Sequence, residues 1–424
     1  MPGGRWWCQL AWLGGADATA GVLLEAGPDG RLSAVTPGVD RLAAARAGAV
    51  ILGGLTLPGL VNAHSHAFHR ALRAWTQIGD GTFWTWRERM YAVAARLDPD
   101  RYRQLATAVY AEMARAGITT VGEFHYLHHQ PDGRPYPAGD EMADALMSAA
   151  ETAGVRLTLL DTCYLTGGIG RPLEGAQRRF SDGDADRWAA RVERLRPTPT
   201  VRIGAAVHSV RAVPPASIAT VAGWARHRGT VLHAHVSEQP AENDACQAAY
   251  GKTPTRHLAD LGAAGAGFVA VHATHLQPDD IALLGSTGAG VCLCPTTERD
   301  LADGIGPAAG LAGAGAVLSL GSDSHAVIDL LEEARAVELD ERLATGRRGG
   351  HPPARLLAAA TAGGATALGW DDAGALAAGR HADFCTLDTG SVRLAATLGP
   401  SGEGAAAAAV FAAGAADVTD VVVA

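Results

Sequence analysis

Apolar stretches alternate with segments of helical spacing through the central 300 or so residues of the chain. Eight of the apolar stretches predict strands, over residues 57–66, 119–128, 157–165, 202–210, 230–238, 268–276, 290–298 and 316–325. Helical patterns lie between them, as at 100–116, 141–153, 214–228 and 326–345. Strands of nearly continuous apolar character, each followed by a helix, are typical of parallel sheets covered on both faces. Eight such units predict an α/β fold, a closed TIM (β/α)8 barrel.

An open, doubly wound sheet is the alternative fold, but no Gly-rich dinucleotide-binding turn follows an early strand. The two chain ends differ from the centre. Short strand patterns occur at 6–12, 21–25 and 32–35, with a Pro28-Asp29-Gly30 turn, and again after Trp370 at 373–380, 381–388 and 417–423. We therefore expect a barrel at 58–368, inserted into a small β-sandwich domain composed of 1–57 and 369–424. The alanine-rich stretches 405–409 and 412–416 predict no definite structure.

Composition narrows the range of partners and compartments. The 424 residues carry a formal net charge of −9 with no block of like charge, which argues against nucleic acid or an anionic membrane as the partner. Six scattered cysteines contain no CxxC pair, and no uncharged apolar run approaches the roughly 18 residues of a membrane span. The N-terminal region has no signal-peptide pattern. We expect a reduced, cytoplasmic protein that acts on a small molecule.

Two histidines end the first predicted barrel strand, in the sequence Pro58-Gly-Leu-Val-Asn-Ala-His64-Ser-His66. At spacing i, i+2 both imidazoles project from the same side of a strand and can reach one metal ion. Two histidines close together are also common on solvated loops, so this pair alone decides nothing.

Other strands supply the missing ligands at their carboxyl ends, where barrel enzymes place their functional residues. These strands end in His233-Ala-His235-Val-Ser-Glu238, His272-Ala-Thr-His275 and Gly321-Ser-Asp323-Ser-His325. Three histidines and one aspartate suit a divalent ion, most simply zinc with iron as the alternative, and leave a position for water. We predict His64, His66, His235 and Asp323 as the ligands. His233 remains an alternative to His235.

The same strand ends provide groups for acid–base chemistry. A divalent ion lowers the pKa of a bound water toward ~7 and so generates hydroxide at neutral pH. Glu238, three residues after His235, can take the water's proton and pass it to a leaving group. His272 can orient the attacking oxygen and the polarised substrate atom. His275 and His325 remain alternatives to His272 and Asp323.

The scarcity of lysine favours a single metal ion. Two-metal hydrolases on this barrel often bridge their ions with a modified lysine at the end of the fourth strand, and here that strand ends Val207-His208-Ser209. Lys252, the only lysine, lies in a polar segment after the fifth strand. The H-x-E with P-C-x-x-C and H-E-x-x-H zinc motifs are both absent from the sequence.

These motifs resemble the amidohydrolase superfamily, in its one-metal deaminase branch. Further stretches are similar to the formimidoylglutamate deiminases of histidine degradation: Phe83-Trp-Thr-Trp-Arg-Glu, Gly122-Glu-Phe-His-Tyr-Leu-His-His, His208-Ser-Val-Arg-Ala-Val, His235-Val-Ser-Glu-Gln, Val271-His-Ala-Thr-His-Leu and Cys294-Pro-Thr-Thr-Glu. The similarity runs from about residue 55 to 350.

The resemblance implies hydrolysis of N-formimidoyl-L-glutamate to N-formyl-L-glutamate and ammonia. Glu238 would protonate the departing nitrogen, and Asp323 would both bind the metal and accept a proton from the nascent hydroxide. A dicarboxylate substrate calls for a cationic pocket, and Arg211 is placed for bidentate carboxylate binding. The family motifs also imply Arg87, Tyr126 and His208 as substrate-binding residues, and we expect His69, which departs from the family pattern, at a further substrate-binding position. A homodimer is expected by the same resemblance.

Three departures from the family pattern complete these expectations. His69 stands where some relatives have glutamine. The stretch Thr297-Glu-Arg-Asp-Leu-Ala-Asp-Gly304 differs from T-E-A-N-L-G-D-G at three positions, Arg299 and Asp300 among them, and Arg299 could add a charge to the pocket or shift its substrate preference. The sequence ends at Ala424, where a further hairpin is expected. The competing functions are deamination of a purine, pyrimidine or triazine ring, which needs a flat apolar slot, and a relative without catalysis.

Overall fold

Both chain ends contribute to one six-stranded sheet in the computed structural model, which describes residues 3–424. Its strands lie in the order β14-β13-β4-β1-β2-β3. They span Arg5–Ala11 (β1), Thr19–Ala26 (β2), Leu32–Thr36 (β3), Val50–Pro58 (β4), Phe384–Leu387 (β13) and Val418–Val422 (β14). The separate β domain formed from the two ends is thus confirmed. The exact boundaries at 57/58 and 368/369 stay predictions.

The remaining eight strands form the predicted parallel barrel, in chain order around the sheet. They are Leu60–Ser65 (β5), Ile118–His125 (β6), Arg156–Cys163 (β7), Val201–Val207 (β8), Leu232–Val236 (β9), Phe268–His272 (β10), Gly290–Leu293 (β11) and Val317–Leu320 (β12). The first and last strands meet at their carboxyl ends, where Asp323 N–H donates to the His64 carbonyl (3.0 Å) and His66 N–H donates to the Asp323 carbonyl (3.2 Å). This closure joins two of the predicted metal-binding segments directly.

Fifteen α-helices accompany these strands in the described residues. They are Arg41–Arg46 (α1), Phe83–Ala94 (α2), Pro99–Arg115 (α3), Glu141–Ala153 (α4), Ala185–Val192 (α5), Pro215–Arg228 (α6), Pro240–Tyr250 (α7), Pro254–Asp260 (α8), Pro278–Ser286 (α9), Pro295–Asp300 (α10), Ala308–Ala314 (α11), Leu330–Thr345 (α12), Pro353–Ala358 (α13), Gly364–Ala367 (α14) and Ala405–Phe411 (α15). A π-helical turn over Ala359–Gly363 joins α13 to α14, and 3-10 turns cover Ala67–Leu72, Gly175–Phe180 and Ala415–Asp417. None of the helices described between residues 3 and 424 has the length and apolar character of a membrane span.

Every predicted barrel strand is present, but each is shorter than predicted at its carboxyl end. The stretch 290–298, for example, is a strand only to Leu293, because Pro295 lacks an N–H for the ladder and instead begins α10. The stretch 57–66 contains parts of two strands, since β4 ends at Pro58 and β5 begins at Leu60. At the break, a side chain on Gly59 would meet Thr119 at 2.1 Å, so only glycine allows the close passage from one sheet to the other.

The predicted helices agree closely with α3, α4 and α6, whereas the last begins at Leu330 rather than at 326. Asp329 caps α12 by accepting from the N–H groups of Leu331 and Glu332, which sets its start. The stretch 405–409, for which no structure was predicted, belongs to α15. Alanine has the highest helix propensity, and this helix also buries most of its side chains.

Candidate active site

The predicted metal ligands converge at the carboxyl end of the barrel. His64 lies in β5 and His66 follows it directly; His235 lies in β9, and Asp323 follows β12. All four side chains are buried. The distance from Asp323 Oδ1 to Nε2 is 3.3 Å for both His64 and His66, and Nε2 of His235 lies 3.2 Å from Nε2 of His64. The structure therefore brings together four groups that are far apart in the sequence.

The hydrogen bonds of these histidines leave lone pairs that point at one another. Nδ1 of His66 lies 2.9 Å from the Phe124 carbonyl, and Nδ1 of His235 lies 2.9 Å from the His208 carbonyl. A carbonyl can only accept, so each Nδ1 carries the proton and each Nε2 presents a lone pair. Burial first, and then neighbouring histidines, hold the pKa of both rings well below the usual value. Neutral imidazoles with converging lone pairs beside a carboxylate match the donor set of a divalent cation.

The charge of Asp323 is retained in this buried position. Burial alone would raise its pKa, but His64, His272 and His66 outweigh burial, and the pKa of the carboxyl falls below its ordinary value. The backbone around it is also specialised. Asp323 has φ 41°, and a side chain on Gly321 would come within 3.0 Å of three atoms of His64. Such local backbone strain persists where the surrounding structure holds a functional geometry in place.

Two further side chains stand beside the cluster. Nε2 of His272 lies 3.9 Å from Asp323 Oδ2 and 3.7 Å from Glu238 Oε1, so Glu238 and the ligand cluster approach the same imidazole nitrogen. Burial tends to lower the pKa of His272, but Glu238 and the hydrogen bond to Glu298 oppose it and raise the pKa to about 10. The structure thus places all three predicted catalytic residues, Glu238, His272 and Asp323, in one group.

Arg211 lies between two carboxylates. Its Nη2 donates to Glu238 Oε2 (3.1 Å), and its Nε lies 2.7 Å from Glu242 Oε2. Burial disfavours the guanidinium charge, but Glu242 and Glu238 outweigh that effect and raise the pKa of Arg211. The other Glu242 oxygen accepts from Ser237 N–H (2.9 Å), next to Glu238 in the chain. Arg211 is therefore a fixed and already partnered cation rather than a free one.

A cavity opens in front of these groups. Its lining includes all five predicted substrate-binding residues, which are His69, Arg87, Tyr126, His208 and Arg211. Aromatic side chains form much of the remaining wall: Phe83, Trp86, Tyr91, Tyr164 and Phe180.

Arg87 is the unpaired cation of this cavity. It extends from α2, and its Cζ lies 4.5 Å from the Trp84 ring centroid and 5.6 Å from that of Tyr91. Within the described part of the chain, no carboxylate oxygen lies within 4.0 Å of its guanidinium nitrogens. Elsewhere in the lining, His69 Nε2 and the Tyr126 hydroxyl are 2.7 Å apart. Burial lowers the pKa of His69 to about 3, so this ring is neutral.

The alternative histidines have other partners. Nε2 of His233 is bonded to the Ala367 carbonyl (2.8 Å), and Nε2 of His275 to the Asp303 carbonyl (2.7 Å). His325 lies between Ser322 and Ser65, at 3.0 Å and 3.2 Å from their hydroxyls. These contacts brace the strand ends.

One more buried His/Asp group lies outside the cavity, formed by His125, His128 and Asp161. Both Asp161 oxygens accept from Arg191 (2.7 and 2.8 Å), and Trp188 Nε1 donates to it as well (3.0 Å). A guanidinium already neutralises this carboxylate, which argues against a second cation there.

The expectation that Arg299 could charge the pocket is wrong. Its Nη2 donates to Glu332 Oε1 (3.2 Å) on α12, and neither Arg299 nor Asp300 lines the cavity. Asp300 instead accepts from Gln77 Nε2 (2.7 Å) in the neighbouring surface cleft. No residue of α10 lines the cavity, whereas Leu301, which follows the helix directly, does.

Two acids were missed by the sequence reasoning. Glu298 lies 3.4 Å from Nδ1 of His272, and Glu242 partners Arg211. Both occur within or beside motifs that were noted, Cys294-Pro-Thr-Thr-Glu298 and His235-Val-Ser-Glu-Gln, but neither residue has a spacing to a ligand that reveals its partner.

The fold and this arrangement of histidines and carboxylates define a metal-dependent hydrolase. The Amidohydrolase family model matches residues 55–424, and the chain belongs to that family. It is therefore a hydrolase that acts on C–N bonds. The chain is 40% identical over 392 residues to formimidoylglutamate deiminase of Pseudomonas aeruginosa. The aligned region covers 89% of this chain and 85% of that relative.

Solved structures agree with the fold. An amidohydrolase from Brucella melitensis superposes with a TM-score of 0.88 at 32% identity, covering 99% of this chain and 93% of the other. An adenosine deaminase from Xanthomonas campestris with bound zinc gives a TM-score of 0.83 at 25% identity, covering 99% and 91%. Together with the converging donor set, this supports a divalent metal ion in the site of the present chain.

Proposed function

We propose that this protein hydrolyses N-formimidoyl-L-glutamate to N-formyl-L-glutamate and ammonia, the reaction of histidine degradation that its motifs imply. The observation that carries the proposal is the content of one cavity: a divalent-metal donor set, Glu238 and His272 at one end, and the guanidinium groups of Arg87 and Arg211 in its walls. A linear substrate with one amidine and two carboxylates matches that distribution of charge. The 40% identity to a formimidoylglutamate deiminase supports the same substrate.

We propose zinc as the ion, held by His64, His66, His235 and Asp323. Imidazole nitrogen with one carboxylate is a common zinc donor set, and a structural relative has bound zinc. When bound, the ion supplies Lewis-acid activation of water at neutral pH.

The chain's own residues then account for the movement of protons. Water oxygen bonds to the formimidoyl carbon, and the bond from that carbon to the terminal nitrogen breaks, so the products are the formyl compound and ammonia. Glu238 takes a proton from the water and delivers it to the departing nitrogen. Asp323, which is ionised at the start, can accept the second proton from the attacking oxygen and pass it on, so that the terminal nitrogen gains both protons of the water and leaves as ammonia. Nε2 of His272, which faces both carboxylates, orients the attacking oxygen.

Substrate binding uses the cations unequally. Among the described residues Arg87 has no acidic partner, so we assign one substrate carboxylate to its guanidinium, which is free to form charge-assisted hydrogen bonds. Arg211 already binds Glu238 and Glu242, and it offers its remaining N–H groups to the other carboxylate. Tyr126, His69 and His208 add neutral polar contacts along the wall. The presence of two cationic side chains, Arg87 and Arg211, distinguishes this cavity from the apolar slot expected for a neutral ring substrate.

Deamination of a purine, pyrimidine or triazine ring is the second candidate, favoured by the aromatic walls of the cavity. The deciding experiment is ammonia release by the zinc-loaded protein from N-formimidoyl-L-glutamate, N-formimidoyl-L-aspartate, guanine and cytosine. Release from a formimidoyl dicarboxylate alone supports the proposal. Release from a ring amine with none from the linear substrates would overturn the substrate assignment.

Replacing Arg87 with Met should raise KM for N-formimidoyl-L-glutamate by about 10- to 100-fold, the equivalent of one charge-assisted hydrogen-bonded contact of ~1.5–3 kcal/mol. The change in kcat should be much smaller, because Arg87 is neither a proposed metal ligand nor a proposed proton-transfer group. Steady-state kinetics provide the measurement. Arg89→Met on the same helix is the control, since Arg89 does not line the cavity. Equal changes in KM for Arg87→Met and Arg89→Met would show that Arg87 does not bind the substrate.

Metal analysis tests the ligand assignment directly. We expect one zinc ion per chain, loss of activity on chelation and its return with zinc. His235→Ala should lower metal content to a small fraction of one per chain. His233→Gln, which keeps a donor for the Ala367 carbonyl, should retain the ion. The opposite pattern would make His233 the ligand.

A further inference from the structure

Glu298 stands behind His272, on the side away from the metal donors. Its Oε1 lies 3.4 Å from Nδ1 of His272, whereas Nε2 of the same ring faces Glu238 and Asp323. The carboxylate is itself held, because Oε1 also accepts from Cys294 N–H at 3.0 Å. Both side chains are buried, with 1% exposure for His272 and 5% for Glu298.

The backbone at His272 has an uncommon conformation, and one side chain hydrogen-bonds to Nδ1 of its ring. His272 and Ala273 both have positive φ, 67° and 54°, at the point where the chain leaves β10. Residues with side chains adopt this region only when surrounding contacts hold them there. Among the described side chains, the ring's Nδ1 has one hydrogen-bonding partner, Glu298.

From this geometry we infer that Glu298 is a positioning residue for the hydrolytic reaction: it accepts the Nδ1–H of His272 and so fixes the ring with Nε2 toward the reacting atoms. A carboxylate that accepts from one nitrogen of an imidazole fixes the orientation of the ring, and with it the direction in which the other nitrogen points. Glu298 itself does not line the cavity and touches no substrate.

The alternative role for Glu298 is purely structural. It lies in the first turn of α10, and removing it leaves the Cys294 N–H without its acceptor. Glu333 allows the two roles to be separated, because it supports the same turn from α12. Its Oε2 accepts from Thr296 N–H at 3.0 Å and its Oε1 from the Thr296 hydroxyl, and in the described residues no hydrogen bond or ion pair joins it to His272. Glu333→Gln is therefore a matched control for disturbance of this turn.

A double-mutant cycle on the zinc-loaded protein tests the inference, which rests on the proposed reaction. In the otherwise unchanged protein, Glu298→Ala should lower kcat by about 10- to 100-fold, the usual size of such a supporting contact, and leave KM within about twofold. In a His272→Asn background the same substitution should change kcat by less than about twofold, because there is no ring left to orient. Glu333→Gln should leave kcat unchanged.

Proton NMR of protein with ¹⁵N-labelled histidine gives a readout independent of turnover. We expect a downfield Nδ1–H resonance that is absent from both Glu298→Ala and His272→Asn but present in Glu333→Gln. If Glu298→Ala does not fold, Glu298→Asp takes its place in the double-mutant cycle, because its side chain is one methylene shorter and holds the carboxylate farther from the ring. Equal losses of kcat in both backgrounds, or an unchanged Nδ1–H resonance, would overturn the positioning role. No ammonia from the unsubstituted protein would instead count against the proposed function, and the NMR comparison would still decide the His272–Glu298 contact.

Discussion

Glu238→Gln should lower kcat for N-formimidoyl-L-glutamate by about 10²- to 10⁴-fold, the range ascribed to a positioned general acid–base. The amide has nearly the same shape as the carboxylate but cannot take a proton from water and return it to the leaving nitrogen. Arg211 keeps Glu242 as its ion-pair partner, so the cavity wall should remain in place. Ammonia release at saturating substrate is the measurement, with zinc content measured on the same sample.

Asp244→Asn is the control for this substitution, because it removes an exposed acid from α7, six residues farther along the chain. Its activity should match that of the unchanged protein. Zinc binding by Glu238→Gln should also be unchanged, since Glu238 is not among the proposed ligands. A loss smaller than tenfold, with zinc bound, would show that another group carries the proton.

Arg156→Met should lower the free energy of unfolding by about 3–5 kcal/mol, which is the usual result of leaving one member of a buried ion pair alone. Arg156 begins β7, and its Nε lies 2.7 Å from Asp383 Oδ2 while Nη2 approaches Oδ1 at 3.3 Å. Their side chains are only 2% and 1% exposed. This pair connects the barrel to the segment that enters β13. Denaturant unfolding measures the effect.

Arg134→Met provides the comparison, because Arg134 pairs with Asp132 on the surface, where such pairs contribute little to stability. The double substitution Arg156→Met with Asp383→Leu should recover part of the lost stability, since neither charge then remains buried alone. If Arg156→Met were as mild as Arg134→Met, the pair would not stabilise the junction between the barrel and the small sheet.

Much of the architecture and the metal donor set follow from sequence order and periodicity. Parallel strands that alternate with helices wind around the barrel in chain order, so the residues that follow each strand must meet at one end. His64, His66, His235 and Asp323 could be proposed from that rule because each stands at a strand end. The i, i+2 spacing of the first pair needs only the two-residue repeat of a strand.

Other features depended on side-chain directions in loops and short helices, which local pattern does not specify. Arg299 and Glu298 are adjacent in α10, yet one pairs with α12 at the surface and the other lies against His272. Sequence spacing likewise does not decide between His233 and His235, since both project from one face of β9. They differ in their position along the strand, so that His233 reaches the Ala367 carbonyl and His235 reaches His64 among the metal donors.

The sequence by itself thus determined the barrel, the small domain at the chain ends and the donor types at the strand ends, because all of these depend on periodicity and chain order. Only the tertiary structure decided that Arg211 lies between Glu238 and Glu242 while no carboxylate from residues 3–424 pairs with Arg87. Those two environments are made by residues from different loops, and the distances between loops are set by how the helices pack around the barrel.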